Sequence, residues 1–154
     1  HIHRVNKIVQ EMNDLKLNVV LHSSNPKKLK NADIYLVDTY GETKKFYDCS
    51  DVVFMGKSLV GRGGQNPLEP ARHGAAVLHG PNIDNFLDIY TLLDKLKITY
   101  KVNGATSLTN LVNKLIIKSN NKKRYLKIEK IGKKILNETK DEINKLLNNE
   151  IKKT

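Results

Sequence analysis

The spacing of apolar positions changes repeatedly along this chain. Val5, Ile8, Val9, Met12 and Leu15 recur at three- and four-residue steps, which predicts an amphipathic helix at the start. Val19-Val20-Leu21 and Ile34-Tyr35-Leu36-Val37 are short β-branched runs bounded by turn residues and read as strands. A helix is predicted around Thr43 to Tyr47, then a strand over 52–55, a glycine-rich loop, and a short helix over 67–73. A strand over 75–78 follows, then a helix marked by Phe86, Ile89, Tyr90, Leu93 and Leu96, a strand over 98–102 and a helix over 108–117. Strands alternating with helices predict an α/β fold with an open, mostly parallel sheet and right-handed crossovers. Such sheets bind ligands beyond the C-terminal ends of their strands.

From about Lys122 the pattern becomes one long charged helix, with Tyr125, Ile128, Ile131, Ile135, Ile143, Leu146 and Leu147 as a discontinuous apolar stripe. The expected organisation is a domain over 1–119 and a basic helical segment over 120–154 that packs on it or extends from it. The chain carries 27 Lys/Arg against 16 Asp/Glu, and 11 against 5 of these fall in the last 35 residues. Two readings of that charge stay open. One is an anionic partner, such as an anionic membrane surface; the other is a solvated surface enriched in Lys, Asn and Ile by codon drift. No run approaches the ~18 apolar residues of a membrane span, and the single Cys49 excludes an internal disulfide. A chain opening on His1 is expected to be a piece of something longer.

The densest chemical signal is GKSLVGRGGQNPLEPARHG, from Gly56 to Gly74. Gly56, Gly61, Gly63 and Gly64 lead from a strand into a helix start, where free backbone N–H groups favour a phosphate or carboxylate. Ser58, Arg62 and Gln65 add side-chain donors. The stretch is neither a Walker A loop, having no closing Gly-Lys-Ser/Thr, nor GxGxxG, since Asn66 takes the third glycine's place. A purely structural turn is the competing reading. Glu69 likewise has two. Asn66 at the N-cap, Pro67 at N1 and Glu69 at N3 form a capping box, yet a carboxylate there also suits the two hydroxyls of a ribose.

The stretch FMGKSLVGRGGQNPLEPARHGAAVLHGPNIDNF, from Phe54 to Phe86, closely resembles the signature of the 3-deoxy-D-manno-octulosonic acid (Kdo) transferases of lipopolysaccharide synthesis. DTYGETKKFYDCSDVVF, from Asp38, is similar to that family's Asp-Thr-x-Gly-Glu stretch, and His1-Ile2-His3-Arg4 to the tail of its Pro-Arg-His-Pro-x-Arg motif. The likeness covers most of 1–119, and the basic tail matches only weakly. It implies a GT-B glycosyltransferase of two Rossmann-like domains, of which this piece is the C-terminal, donor-binding one. It further implies an inverting transfer of Kdo from CMP-Kdo to a lipid A precursor at the cytoplasmic face of the bacterial inner membrane. The catalytic base is implied in the N-terminal domain, so no catalytic residue is expected here and the fragment is expected to be inactive alone.

Position by position, the resemblance implies that Ser58, Gly63, Gly64 and Asn66 cradle the phosphate, with Arg62 and Gln65 nearby, and that Glu69 holds the ribose. It implies Gly41 and Glu42 near the cytidine, with Arg4 bordering the same pocket. Lys57 stands where the family usually has a second Gly, and Gly61 where a Pro is common. No cofactor and no metal are expected, since His1, His3, His22, His73 and His79 lack zinc-ligand spacing. His73 and His79 read as helix-end and strand-end residues, Cys49 as a small packing residue, and Asp48 and Asp51 as solvated. Two rival functions stay open: a GT-B donor domain for a UDP-sugar, and a basic polyanion-binding module. The second lacks an aromatic stacking platform, and nucleic acid is not an expected partner.

Overall fold

The structure, a computed structural model, describes residues 2–27, 29, 31–61, 63–117 and 120–151. The chain divides into two compact units, 1–45 and 46–154, with the division inside a short helix. The elements in order are α1 (Val5–Asp14), β1 (Val19–Leu21), β2 (Ile34–Leu36), α2 (Thr43–Asp48), β3 (Val52–Phe54), α3 (Leu68–Arg72), β4 (Ala76–His79), α4 (Leu87–Lys95), β5 (Thr99–Lys101), α5 (Ala105–Ile117) and α6 (Asn121–Ile151). Every element predicted from the periodicity is present, with ends shifted by a few residues. The strands fall into two parallel sheets, β1-β2 and β3-β4-β5.

In the first unit β1 pairs with β2 in register from Val19↔Ile34 to Leu21↔Leu36. None of the described side chains of this unit is fully buried. Two three-residue strands and one helix offer too little surface to enclose a side chain on all sides.

The second unit is built around β4. Ala76, Val77, Leu78 and His79 are all buried, because β4 has a strand on each side and helices on both faces. The pleat sends alternate residues to opposite layers. Val77 joins Met55, Ala71, Leu93 and Ile98, with Ile128 of α6 packed against them. Ala76 and Leu78 join Val102 and Leu115, against Leu108, Leu111 and Val112 of α5. The unit is therefore a three-layer α/β sandwich.

The start of α6 is fixed to the edge of this sheet where the strands begin. Arg124, only 5% exposed, donates from Nε to the Gly74 carbonyl at 2.7 Å and from Nη2 to the Asp51 carbonyl at 3.2 Å. A side chain at Gly74 would meet the Asn121 carbonyl oxygen at 2.5 Å, so a glycine at φ +85° lets the helix come this close. From Gly132 to Asn149 every described side chain is exposed. No helix among the described residues is long and apolar enough to cross a membrane.

One buried polar atom lacks a partner among the described residues. Thr99 is 2% exposed and its Oγ1 makes no hydrogen bond. A buried unpaired hydroxyl costs roughly 1–3 kcal/mol, while an isosteric apolar group has no such cost. Thr99→Val is therefore expected to raise stability by about 1 kcal/mol in urea denaturation. An unchanged or lower midpoint counts against this reading of the hydroxyl.

Candidate functional site

The glycine loop leaves the C-terminal end of β3 and folds against the loop that leaves the end of β4. Ser58 joins them. It is fully buried, donates its hydroxyl proton to the Met55 carbonyl at 2.5 Å and accepts the Gly80 N–H at 2.8 Å. The Ser58 carbonyl accepts from the Asn82 N–H at 2.9 Å. Gly80 has to be glycine for this approach, since a Cβ there would lie 2.2 Å from the Ser58 carbonyl oxygen. Further along, the Asn82 amide donates to the Leu59 carbonyl (3.3 Å), the Asn85 N–H to the Gly63 carbonyl (3.3 Å) and the Tyr90 hydroxyl to the Gln65 carbonyl (3.1 Å). Gly64, at φ +65°, has no room for a side chain against the Asn82 carbonyl, and Gly63, at φ +94°, lies under the Asn85 side chain.

These bonds give the loop a polarity. Its carbonyls at Ser58, Leu59, Gly63 and Gln65 accept from the supporting segment 82–90. Among the described residues, no backbone N–H of Leu59, Val60, Gly61, Gly63, Gly64, Gln65 or Asn66 donates within the protein. Carbonyls held against the body with amides unspent is the arrangement an anion requires. Since α3 has only five residues, the individual amides matter here more than a long helix dipole.

The two readings of the helix start separate in the structure. The N-cap position of α3 is Pro67, one residue after the expected Asn66, and Asn66 Oδ1 accepts the leading Leu68 N–H of the helix at 3.0 Å. Glu69 makes no return bond to the Asn66 N–H, and its exposed carboxylate has no hydrogen-bond partner among the described residues. Its charge is felt by the half-buried Tyr47, whose hydroxyl is held above its usual range by burial and then by Glu69. Tyr47 lies against the ring of His73 with centroids 5.9 Å apart, and His73 Nδ1 pairs with Asp48 at 2.5 Å.

Each expected site residue has a definite position, Arg62 excepted, which lies outside the described residues. Gly63, Gly64, Asn66 and Glu69 share the loop and helix start, with Gln65 exposed beside them. Ser58 is in the loop but turned inward, so its donor is spent on shaping the turn. Arg4, Gly41 and Glu42 belong to the first unit. Arg4 is exposed at the head of α1, and Gly41 is exposed at φ +84°. Glu42 pairs with Lys45 Nζ at 2.8 Å, which holds its carboxyl below the usual range, and lies 3.9 Å from His22 Nε2. His22 Nδ1 meets the Tyr35 hydroxyl at 2.7 Å, and Ser23 binds both oxygens of Asp38, so the exits of β1 and β2 are tied together.

Three lesser expectations change. Asp48 is paired with His73 rather than merely solvated, and Asp51 is half-buried, its carbonyl taken by Arg124. Cys49 is exposed rather than packed. Sequence reasoning also passed over Asn82, Asn85 and Tyr90, which support the loop. The run Gly80-Pro81-Asn82, a break straight after a strand, was the available signal.

Lys57 sits at φ +60°, a left-handed conformation that costs an ordinary residue about 1 kcal/mol or more and glycine little. Lys57→Gly is expected to stabilise the chain by about 1 kcal/mol, and Lys57→Val to lower its melting temperature. A lower melting temperature for Lys57→Gly is the contrary result.

His79 gives a pH signature. It is 6% exposed, its ring lies 4.4 Å from that of Tyr90, and burial lowers its pKa below the usual value of 6.5. Burial also pushes the Tyr90 hydroxyl up to about 12. The unfolded chain takes up the His79 proton before the native one does, so this contribution is complete above pH ~6.5 and declines as pH falls towards the lowered native value. Melting curves are expected to show that loss in the wild type and a flatter profile in His79→Leu. Parallel profiles would exclude His79 as its source.

Compared with models of known protein families, the chain matches none. Individual proteins do match. It is 30% identical over 148 residues to a 3-deoxy-D-manno-octulosonic acid transferase of Haemophilus influenzae, covering 96% of this chain and 34% of that protein. The corresponding enzyme of Rickettsia conorii is 30% identical, covering 96% of this chain and 33% of the enzyme. A bifunctional glycosyltransferase/methyltransferase of Fusobacterium nucleatum is 31% identical over 73% of this chain and 18% of its own. The chain thus spans about a third of the length of the transferases it matches. Its fold matches the C-terminal CMP-Kdo binding domain of WaaA from Acinetobacter baumannii with a TM-score of 0.76 and 23% identity, over 85% of this chain and 69% of that domain. By sequence over nearly all its length the chain is similar to part of the 3-deoxy-D-manno-octulosonic acid transferases, and it has the Rossmann-like α/β fold of that C-terminal domain.

Proposed function

We propose that this chain is the donor-binding domain of an inverting Kdo transferase, holding CMP-Kdo while a lipid A precursor is glycosylated at the inner membrane. One observation carries the reading: a loop at the C-terminal strand ends with four of its carbonyls held against the body and its described amides from Leu59 to Asn66 free, followed directly by an unpaired carboxylate. The amides from Leu59 to Asn66 receive the phosphate, with Gln65 and Arg62 as side-chain donors. Glu69 accepts the two ribose hydroxyls. Ser58 acts through the loop it shapes, and Asn66 through the helix start it binds. The chemistry of this domain is to orient the nucleotide and to neutralise the phosphate that departs as the sugar leaves.

Glu69→Gln is the sharpest test. The carboxylate makes no cap bond, so the melting temperature is expected to stay within the change of an ordinary surface substitution, about 0.5 kcal/mol. Hydrogen bonds to a charged group are worth roughly 1.5–3 kcal/mol, so CMP affinity is expected to fall at least about tenfold. Asn66→Ala is expected to damage both, losing about 1 kcal/mol with the bond to Leu68. Calorimetric titration of the chain with CMP and UMP separates the cytidine reading from a UDP-sugar donor site. Equal affinity for both, or normal CMP binding by Glu69→Gln, overturns the assignment.

The acceptor site and the base belong to the remainder of such an enzyme. Incubation of the purified chain with CMP-Kdo and a lipid A precursor is expected to yield no product, and measurable transfer would refute that division of labour.

A further inference from the structure

A second concave surface lies at the other edge of the three-stranded sheet, where the strands begin. It encloses about 380 Å³ between the start of β5, the end of α5 and the first turns of α6. Lys97, Lys114, Lys123, Arg124 and Lys127 line it, and no carboxylate does. None of the ion pairs among the described residues involves these five cations. Two are fixed by neutral carbonyls, which hold a cation without cancelling its charge. Arg124 is bound to Gly74 and Asp51, and Lys127 Nζ to the Leu96 carbonyl at 2.6 Å. Asp51, whose charge Arg124 feels, is not part of the lining. Lys97 is held at φ +57°, with its carbonyl accepting the Tyr100 hydroxyl at 3.1 Å. Five cations lining one cavity repel one another, and an anion seated among them reduces that cost.

We propose that this cavity binds the phosphate of an anionic membrane lipid. The surroundings favour a lipid over a free phosphate. Leu111 and Leu115 form an apolar wall beside the lysines, and Ile117, three residues after Lys114 on the same face of α5, is 82% exposed. Exposed aliphatic side chains next to clustered lysines suit a surface where headgroups meet acyl chains.

The distribution of charge along α6 fits the same assignment. Lys122, Lys123, Arg124 and Lys127 stand together with no acidic residue among them. From Glu129 to Glu150, five lysines are matched by five carboxylates, several of them paired as Lys133–Glu129, Lys134–Glu138 and Lys145–Glu142. The basic character of the tail is therefore concentrated at this cavity rather than along the projecting helix. The inference does not rest on the nucleotide reading, which CMP titration tests at the opposite edge of the sheet.

Vesicle sedimentation of the 154-residue chain tests it. Binding is expected to phosphatidylcholine vesicles containing phosphatidylglycerol, to weaken with salt, and to be absent with phosphatidylcholine alone. Lys114→Glu with Lys123→Glu, both at exposed positions, is expected to reduce partitioning at least about tenfold. Lys140→Glu with Lys145→Glu changes the charge equally on the distal helix and is expected to alter it less than about twofold. The milder Lys97→Gln with Lys114→Gln carries the comparison if charge reversal lowers the melting temperature. Equal losses from the cavity and distal pairs would overturn the site. So would inorganic phosphate shifting the amide resonances of 121–124 while vesicles leave the chain in solution, since the ligand would then be a soluble phosphate.

Discussion

The approach of Gly80 to Ser58 is the constraint on which the glycine loop depends. Two loops leaving neighbouring parallel strands can lie against each other only if one backbone yields space and the other supplies a bond. Gly80 yields the space, and the buried Ser58 hydroxyl joins the carbonyl of Met55 to the amide of Gly80. Asn82, Asn85 and Tyr90 then take successive loop carbonyls. The same device recurs in the first unit, where Ser23 on the exit of β1 holds Asp38 on the exit of β2. In both, a serine beyond one strand fixes the segment beyond its neighbour.

Much of this was legible in the sequence because period and composition act locally. The alternation of β-branched runs with helical spacing marked all five strands, and β4 stood out as a short apolar run closed by Gly80-Pro81. That Asn66 binds the helix start was legible too, since such a bond needs only residues two positions apart. What could not be read depended on partners distant in sequence. Ser58 looked like a donor to a ligand, yet its inward orientation is decided by Gly80, 22 residues on. Asp48 looked solvated because its partner, His73, is 25 residues away. The separation of the strands into two sheets was equally hidden, because periodicity identifies strands without saying which of them pair.

The charge of the chain shows a different limit of composition. A count over the last 35 residues describes one basic tail, while the structure resolves two regions of different character. The first turns of α6 contribute cations to a cavity on the body of the protein. From Glu129 to Glu150 the helix is neutral, carrying its own ion pairs and an exposed apolar stripe that includes Ile135, Ile143 and Leu146. Net charge sets the field at a distance, but short-range recognition follows where the charges are uncompensated.

The attachment of α6 has a mechanical consequence. Its orientation is set within its first two turns, where Arg124 holds Gly74 and Asp51, Gly74 touches the backbone of Asn121 and Ile128 packs against the core. Beyond Gly132 the helix runs on for about 28 Å at 1.5 Å per residue. It is thus a lever pivoting at the beginning of β4, and a tilt of about 5° at the pivot moves the tip by roughly 3.5 Å over the ~40 Å from Arg124 to Ile151. Four residues of β4 separate the pivot from Gly80 and the glycine loop. A load on the distal helix therefore acts on the strand that supports the loop, with a leverage fixed by the length of the arm.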